Sequence, residues 1–243
     1  MRRRRLTPSP AAVRRHEGRA TQRILLLTLA LATSLASAQT PAPPVETGPI
    51  LILGDSIMAW NDDVGASVAH RLRARTGADV TSHAIPGSRI LERADAIPKQ
   101  YRPGPWRWVL VQGGGNDLVE DCACGACTDV LDQLLGPDGT TGAIADLVTR
   151  ILREDANVLL WSYYEPLPTA PYPFDRCSDA LQHVHERLTR LAATSDRIQL
   201  LDGRDVMDPS KPNAYDRDGV HPSPLGSDAI ALQIARILDK SQE

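Results

Sequence analysis

Five residues that are widely separated in the chain have the types needed to attack an acyl carbon. Ser56 follows the apolar run in ILILGDSI, and a serine hydroxyl becomes a nucleophile when a nearby base removes its proton. His221 in DGVHPS is the candidate base. Asp218, three residues earlier, can accept from its Nδ1–H and leave Nε2 free for Ser56. Candidate donors to the developing oxyanion are the backbone N–H groups of Ser56 and Gly87 and the side-chain amide of Asn116.

The segments around these residues alternate between strand and helix patterns. Continuous aliphatic or β-branched runs predict strands over 49–56, 78–87, 106–117, 156–165 and 197–203. Helical periodicity and capping residues predict helices over 62–77, 88–101, 140–155, 179–195 and 223–240. This alternation is typical of an α/β fold with a parallel sheet and helices on both faces. Because ligands bind at the carboxyl ends of such strands, we expect Ser56, Gly87 and Asn116 to meet at one edge.

The N-terminal segment has the features of an export signal. Many arginines precede the apolar run 24–36, which is shorter than the roughly 20 residues of a membrane-spanning helix. The run leads into Ala36-Ser37-Ala38, a small-x-small cleavage pattern. We therefore expect a signal peptide over 1–38, cleaved near Ala38, a proline-rich linker over 39–48 and one folded domain over 49–240. The mature protein would be secreted or periplasmic; a membrane-anchored N-terminus is the alternative.

Composition limits the classes of partner. The net charge is −3 and 42% of the residues are hydrophobic, which is typical of a globular protein. Outside the leader, no basic patch with interleaved aromatic residues is present, which argues against a nucleic-acid partner. After cleavage of the leader we expect no stable membrane insertion. We also expect that the site contains neither a cofactor nor a metal ion.

The chain contains four cysteines, three of them in CACGAC. An even number of cysteines in an exported chain favours disulfides, here two, one of which would tie the loop after Asn116 to Cys177. The connectivity of Cys122, Cys124 and Cys127 stays open at this level. A zinc site made of four thiolates is the alternative.

Four short blocks resemble the SGNH (GDSL-type) hydrolases. They are GDSI at 54–57, the isolated glycine in IPGSR at 85–89, GGND at 114–117 and DGVHPS at 218–223, in the order found in that family. The resemblance implies a flavodoxin-like three-layer α/β/α sandwich with a five-stranded parallel sheet. It also implies that Ser56 is the nucleophile, that Asp218 and His221 complete a catalytic triad, and that Gly87 and Asn116 complete the oxyanion hole.

The function expected from these patterns is that of an exported serine esterase, which hydrolyses small-molecule, glycan or lipid esters through an acyl-enzyme. A carbohydrate O-acyltransferase and a non-hydrolytic binding domain on the same fold are the alternatives, and the acyl and alcohol groups of the substrate stay open. We expect Asp55 and Asp117 to be structural. Trp60 either lines the site or only packs, and Tyr163 and Tyr164 either line the site or close a loop.

Overall fold

The computed structural model describes residues 48–91 and 94–240 of the chain. The predicted signal peptide (1–38), its cleavage point and all but the last residue of the predicted linker (39–48) lie outside the described residues. Almost all of the predicted domain over 49–240 is described.

A five-stranded parallel sheet forms the centre of the fold. Its strands are β1 (Ile50–Leu53), β2 (Val80–Ser82), β3 (Trp108–Gln112), β4 (Asn157–Ser162) and β5 (Ile198–Asp202). The order in the sheet is β2-β1-β3-β4-β5, which is the flavodoxin-like order, and the winding reverses between β1 and β3. Leu53 pairs with Val111, so these two strands end side by side. The loops that follow β1 and β3 therefore share one edge of the sheet.

Helices cover both faces of the sheet, as predicted. They are α1 (Ser56–Ala59), α2 (Val68–Thr76), α3 (Ile97–Gln100), α4 (Gly115–Cys122), α5 (Thr128–Leu134), α6 (Ala143–Arg153), α7 (Ser178–Ala192) and α8 (Pro224–Lys240). Ile50 and Ile52 pack against α2 and α8, whereas Leu51 and Leu53 pack against α5, α6 and α7. Because successive strand residues point to opposite faces, this alternation creates two cores in a three-layer sandwich. No helix within the described residues combines the length and the apolar composition needed to cross a membrane.

Several predicted elements are too long. The helix predicted over 62–77 begins only at Val68, because Asn61 and Gly65 each have a φ of 64° and interrupt any helix before it. The strand predicted over 106–117 is also too long. It ends at Gln112, and the glycines after it turn the chain directly into α4.

The helix predicted over 88–101 is wrong for most of its length. Among the described residues of this segment only the single turn α3 is helical, and Pro98 lies in its first turn. The backbone N–H groups of Ile90 and Leu91 donate instead to the side chain of Asp117, each at 2.9 Å. A distant carboxylate therefore holds the non-helical segment that precedes α3.

The cysteine-containing segment, predicted as a loop, contains the end of α4 and is followed by α5. Disulfides join Cys122 to Cys127 and Cys124 to Cys177, so the described cysteines are all oxidised and no thiolate set for zinc remains. The two disulfides agree with the prediction. The Cys124–Cys177 disulfide, which closes the longer loop of the two, joins the segment just after α4 to the start of α7.

Candidate active site

Ser56 lies at the first position of α1, immediately after the turn that ends β1. Asp55 caps this helix, because its Oδ1 accepts from the backbone N–H of Ile57 at 2.9 Å. The first N–H groups of a helix have no acceptor within the helix, so the backbone N–H of Ser56 is placed to bind an anion. Asp55 is thus structural, as expected, and its burial raises the pKa of its carboxyl above the ordinary value.

Asp218, His221 and Ser56 form one hydrogen-bonded chain. Asp218 Oδ2 lies 2.5 Å from His221 Nδ1, and His221 Nε2 lies 2.8 Å from Ser56 Oγ. Because an ionised carboxylate can only accept, Nδ1 carries the proton and Nε2 accepts from the serine hydroxyl. Partial burial acts to raise the pKa of Asp218, but hydrogen bonds from the side chain and backbone of His221 and from Val220 N–H hold it below its ordinary value.

Trp60 and Asn61, which follow α1, contact the loop that carries His221. The indole of Trp60 stacks on the imidazole of His221 with 3.7 Å between ring centroids and 6° between planes. The indole N–H donates to Asp216 at 2.7 Å, and the Asn61 amide donates to the carbonyl of Pro222 at 2.9 Å. The segment that begins with the serine therefore also supports the imidazole. Of the two roles that the sequence left open, Trp60 has the packing one: it stacks on the imidazole and is not among the residues that line the cavity beside Ser56.

Asn116 reaches the same place from the start of α4. Its side-chain amide donates to the carbonyl of Ser88 at 2.9 Å, which leaves its second N–H available to a ligand. Together with Ser56 and His221, Asn116 lines one cavity of about 50 Å³. Three of the five predicted residues therefore line a single cavity, and a fourth, Asp218, bonds to the imidazole of His221 from outside it.

Gly87 lies in a neighbouring turn and outside the residues that line the cavity. The turn is closed by Ser88 N–H on the carbonyl of Ile85 at 3.1 Å, and Gly87 has a φ of +77°. With Pro86 before it, this is the geometry of a type II turn, which requires a positive φ at this position. A Cβ at Gly87 would meet nothing within 4 Å, so backbone conformation rather than lack of space requires glycine here.

Asp117 holds this turn in place from α4. Its fully buried carboxylate accepts from two backbone N–H groups, those of Ile90 and Leu91, and from the guanidinium of Arg89 at 3.3 Å. Burial raises the pKa of Asp117 despite these bonds. Asn116 and Asp117 therefore bind the same segment, one through a carbonyl and the other through N–H groups. The structural role expected for Asp117 fits this geometry.

Tyr163, at the end of β4, is a site residue whose role the sequence left open. Its hydroxyl donates to Asp55 Oδ2 at 2.6 Å and accepts from the backbone N–H of Gly115 at 2.9 Å. Burial and the nearby Asp55 carboxylate raise the pKa of Tyr163 well above its ordinary value, so the phenol keeps its proton. This hydroxyl links the turn that carries Ser56 to the turn that carries Asn116. In the sequence, the only indication of this role was the position of Tyr163 and Tyr164, two residues with polar hydroxyls directly after an apolar strand.

Within residues 48–91 and 94–240, no group of three or more histidine, cysteine, aspartate or glutamate side chains has the arrangement needed to hold a metal ion.

Solved structures with the same fold come from several bacteria. A GDSL-like lipase from Bacteroides thetaiotaomicron has a TM-score of 0.57 at 16% identity, covering 82% of this chain and 91% of its own. A member of the lipolytic protein G-D-S-L family from Veillonella parvula has a TM-score of 0.59 at 15% identity, covering 78% and 97%. A lipase/acylhydrolase from Enterococcus faecalis has a TM-score of 0.56 at 17% identity, covering 79% and 95%. At these identities the likeness establishes the fold.

None of the curated proteins compared with the sequence matches it. Residues 52–229 match the GDSL-like lipase/acylhydrolase family, and this region includes every block that carries the resemblance to SGNH hydrolases. The match covers most of the chain and contains both the sheet and the cavity. The chain therefore belongs to the GDSL-like lipase/acylhydrolase family, whose enzymes act on ester bonds.

Proposed function

We propose that this protein is an exported serine esterase that hydrolyses carboxylic esters through an acyl-enzyme on Ser56. The observation that carries the proposal is the continuous hydrogen-bonded chain from Asp218 through His221 to Ser56, with 2.8 Å between His221 Nε2 and Ser56 Oγ. This distance is within the range for direct proton transfer between a nucleophile and its base.

In the first half of the reaction, Ser56 Oγ attacks the ester carbonyl carbon while His221 Nε2 takes the hydroxyl proton. The carbonyl oxygen becomes an oxyanion, which the Ser56 backbone N–H and the second amide N–H of Asn116 stabilise, with Gly87 N–H as a third donor. When the tetrahedral intermediate collapses, the C–O bond to the alcohol breaks and His221 returns the proton to the departing alkoxide. Asp218 stabilises the imidazolium throughout this step.

In the second half, water attacks the acyl-enzyme. His221 removes one proton from the water as its oxygen bonds to the acyl carbon, and the same donors hold the second oxyanion. Collapse breaks the bond to Ser56 Oγ, which regains its proton from His221. The carboxylic acid is released, and the enzyme returns to its starting state.

Export is supported by the chemistry of the cysteines. Two disulfides are typical of proteins that mature in an oxidising compartment, and they agree with the signal sequence predicted over 1–38. Expressing the full-length chain in a bacterial host and determining the N-terminus of the mature protein tests this directly. A mature chain that begins at Gln39 supports export, whereas a chain that retains residues 1–38 in the cytoplasm contradicts it.

Covalent labelling tests the proposed mechanism. A serine-directed phosphonate should modify Ser56 and abolish hydrolysis of p-nitrophenyl acetate, and Ser56→Ala should reduce kcat by up to about 10⁶-fold. Ser82→Ala, which changes a serine at the end of neighbouring β2, is the matched control and should retain full activity. Residual activity of Ser56→Ala above about 1% of wild type would show that another nucleophile acts.

The same preparation separates hydrolysis from acyl transfer. Release of acetate into water without any acceptor supports the esterase. Ester consumption that requires an added oligosaccharide would instead identify an acyltransferase. Ester that is bound but never cleaved would identify a binding domain.

A further inference from the structure

The cavity beside Ser56 is small and mostly apolar away from the catalytic groups. Val119 lines it from α4, Leu181 from α7, and Phe174 and Pro166 from the segment between β4 and α7. Each of these side chains is only partly buried in the described structure. Their exposed surface faces the space next to the nucleophile, so an apolar part of a substrate would gain contacts here.

The size of the cavity limits what it can hold. A cavity of about 150 Å³ lined by apolar side chains accommodates benzene, which has six non-hydrogen atoms. The cavity here is about 50 Å³, roughly a third of that volume, and therefore has room only for a very short acyl group. Acetyl and propionyl groups meet this limit, whereas longer chains exceed it.

One wall of the cavity is covalently fixed. Phe174 begins a short 3₁₀ helix (Phe174–Arg176) that leads directly into Cys177, whose backbone N–H donates to the Phe174 carbonyl at 3.2 Å. Cys177 is joined to Cys124, which lies just after α4, the helix that carries Asn116. The wall is thus tied to the same element as an oxyanion donor. The disulfide therefore restricts movement of the backbone of this wall relative to the end of α4.

A second cavity adjoins the first. It has a volume of about 200 Å³, and Leu181, Tyr163 and Tyr164 line both spaces; its other lining residues are polar or charged, namely Glu165, Ser178, Asp179, Gln182 and Arg204. Of these three, Tyr163 and Tyr164 are held by hydrogen bonds to Asp55 and to the carbonyl of Val220. Leu181 is the third shared residue, and its side chain contributes only apolar atoms and therefore makes no hydrogen bond. It is therefore the shared side chain that a substitution can shorten without breaking a polar contact.

We propose that this cavity is the acyl site, that it restricts the enzyme to esters of acetic and propionic acid, and that Leu181 is the residue that sets the limit. The acyl group stays bonded to Ser56 while water attacks, so it is the part of the substrate that remains beside the apolar wall during the second step. The alcohol must leave to solvent after the first step. The proposal rests on the proposed function, with Ser56 as the nucleophile.

Two series of p-nitrophenyl and alkyl esters test the proposal. In the first, the alcohol is constant and the acyl group grows from acetyl to decanoyl. In the second, the acyl group is acetyl and the alcohol grows. For wild type, kcat/KM should fall about 10–200-fold for the first methylene beyond the limit in the acyl series, and should vary much less in the alcohol series.

The variant Leu181→Ala joins the two cavities and should raise the ratio of kcat/KM for hexanoyl over acetyl esters by at least about 10-fold. Leu152→Ala is the matched control, because Leu152 and Leu181 are both partly buried and pack against the same core cluster. Leu152→Ala should leave the ratio unchanged. Phe174→Ala provides a second test of the wall if Leu181→Ala does not fold, and should shift the ratio in the same direction.

Wild-type preference for hexanoyl or longer esters would overturn the proposal, as would a length limit that follows the alcohol series. An unchanged ratio in a folded Leu181→Ala protein would also overturn it. Failure of the proposed function gives a different result, namely no hydrolysis of any ester and no labelling of Ser56 by the phosphonate.

Discussion

Replacing Trp60 by leucine tests whether the stacked indole takes part in the chemistry. The indole lies parallel to the imidazole of His221 at 3.7 Å between centroids. In the proposed mechanism the imidazole becomes an imidazolium when it takes the proton of Ser56. An aromatic face attracts a cation more strongly than a neutral ring, so the contact is stronger in the transition state than in the ground state.

The size of the effect follows from this difference. A cation over an aromatic face gains about 0.5–2 kcal/mol, depending on how far the pair is removed from water. If the Trp60→Leu variant lacks this attraction between the aromatic face and the imidazolium, kcat should fall by about 2–30-fold, with little change in KM. The imidazolium also loses a stabilising neighbour, so the acidic limb of the pH–rate profile should move to lower pH.

Steady-state kinetics between about pH 5 and 9 measure both quantities. Trp60→Phe keeps an aromatic face but loses the hydrogen bond to Asp216, so its loss in kcat should be smaller than that of leucine. Trp106→Leu is the matched control, because Trp106 is also partly buried and bonded through its indole N–H, to the carbonyl of Arg102. An unchanged kcat and pH profile in Trp60→Leu, or an equal loss in Trp106→Leu, would refute the reasoning.

Three further predictions concern stability. Asp117→Ala should lower the free energy of unfolding in urea by about 2–6 kcal/mol, because two backbone N–H groups lose their acceptor at about 1–3 kcal/mol each while Arg89 keeps Glu120 and Asp121; a loss under about 1 kcal/mol would contradict this. Replacing Cys124 and Cys177 together by alanine should cost about 4 kcal/mol, since their bond spans 53 positions, and equal stability of the oxidised and reduced protein would disprove it. The pKa of Asp218 is lowered, so its contribution to stability is present above its unfolded-state pKa and is lost as the pH falls through the lower folded-state pKa. Asp218→Asn should therefore weaken the loss of stability below about pH 4, and an acid transition identical to that of wild type would argue against this.

The central sheet was predictable from the sequence because its strands are local signals. Each of the five predicted strands contains an observed one, since continuous aliphatic runs bounded by turn residues have little alternative to burial. The helices were harder to predict. The segment 88–101 has helical periodicity, yet its first part is bound in a non-helical conformation by Asp117, which lies 26 or more positions away from Ile90 and Leu91. Local patterns carry no information on such an acceptor.

The blocks around Ser56, Asn116 and His221 were recognisable because each is a short stretch of adjacent residues. The alternation of strands and helices then predicted that they lie at one edge of the sheet. Residue type alone would not have sufficed. The chain also holds Ser162 near His185 and Asp202, with Ser162 Oγ 3.0 Å from His185 Nδ1, but there the serine is completely buried. Only the tertiary structure distinguishes an accessible set of serine, histidine and aspartate from an enclosed one.

The sequence by itself therefore determined the strand segments, the α/β class and the residues with the right chemistry. The tertiary structure alone decided which of them meet, because Ser56 and His221 are 165 positions apart and approach through the order of the strands. It also decided that Trp60 stacks on the imidazole and that Tyr163 joins two turns. The size of the cavity depends on the walls contributed by α4, α7 and a disulfide. Such contacts depend on side-chain packing between distant segments, which no local pattern specifies.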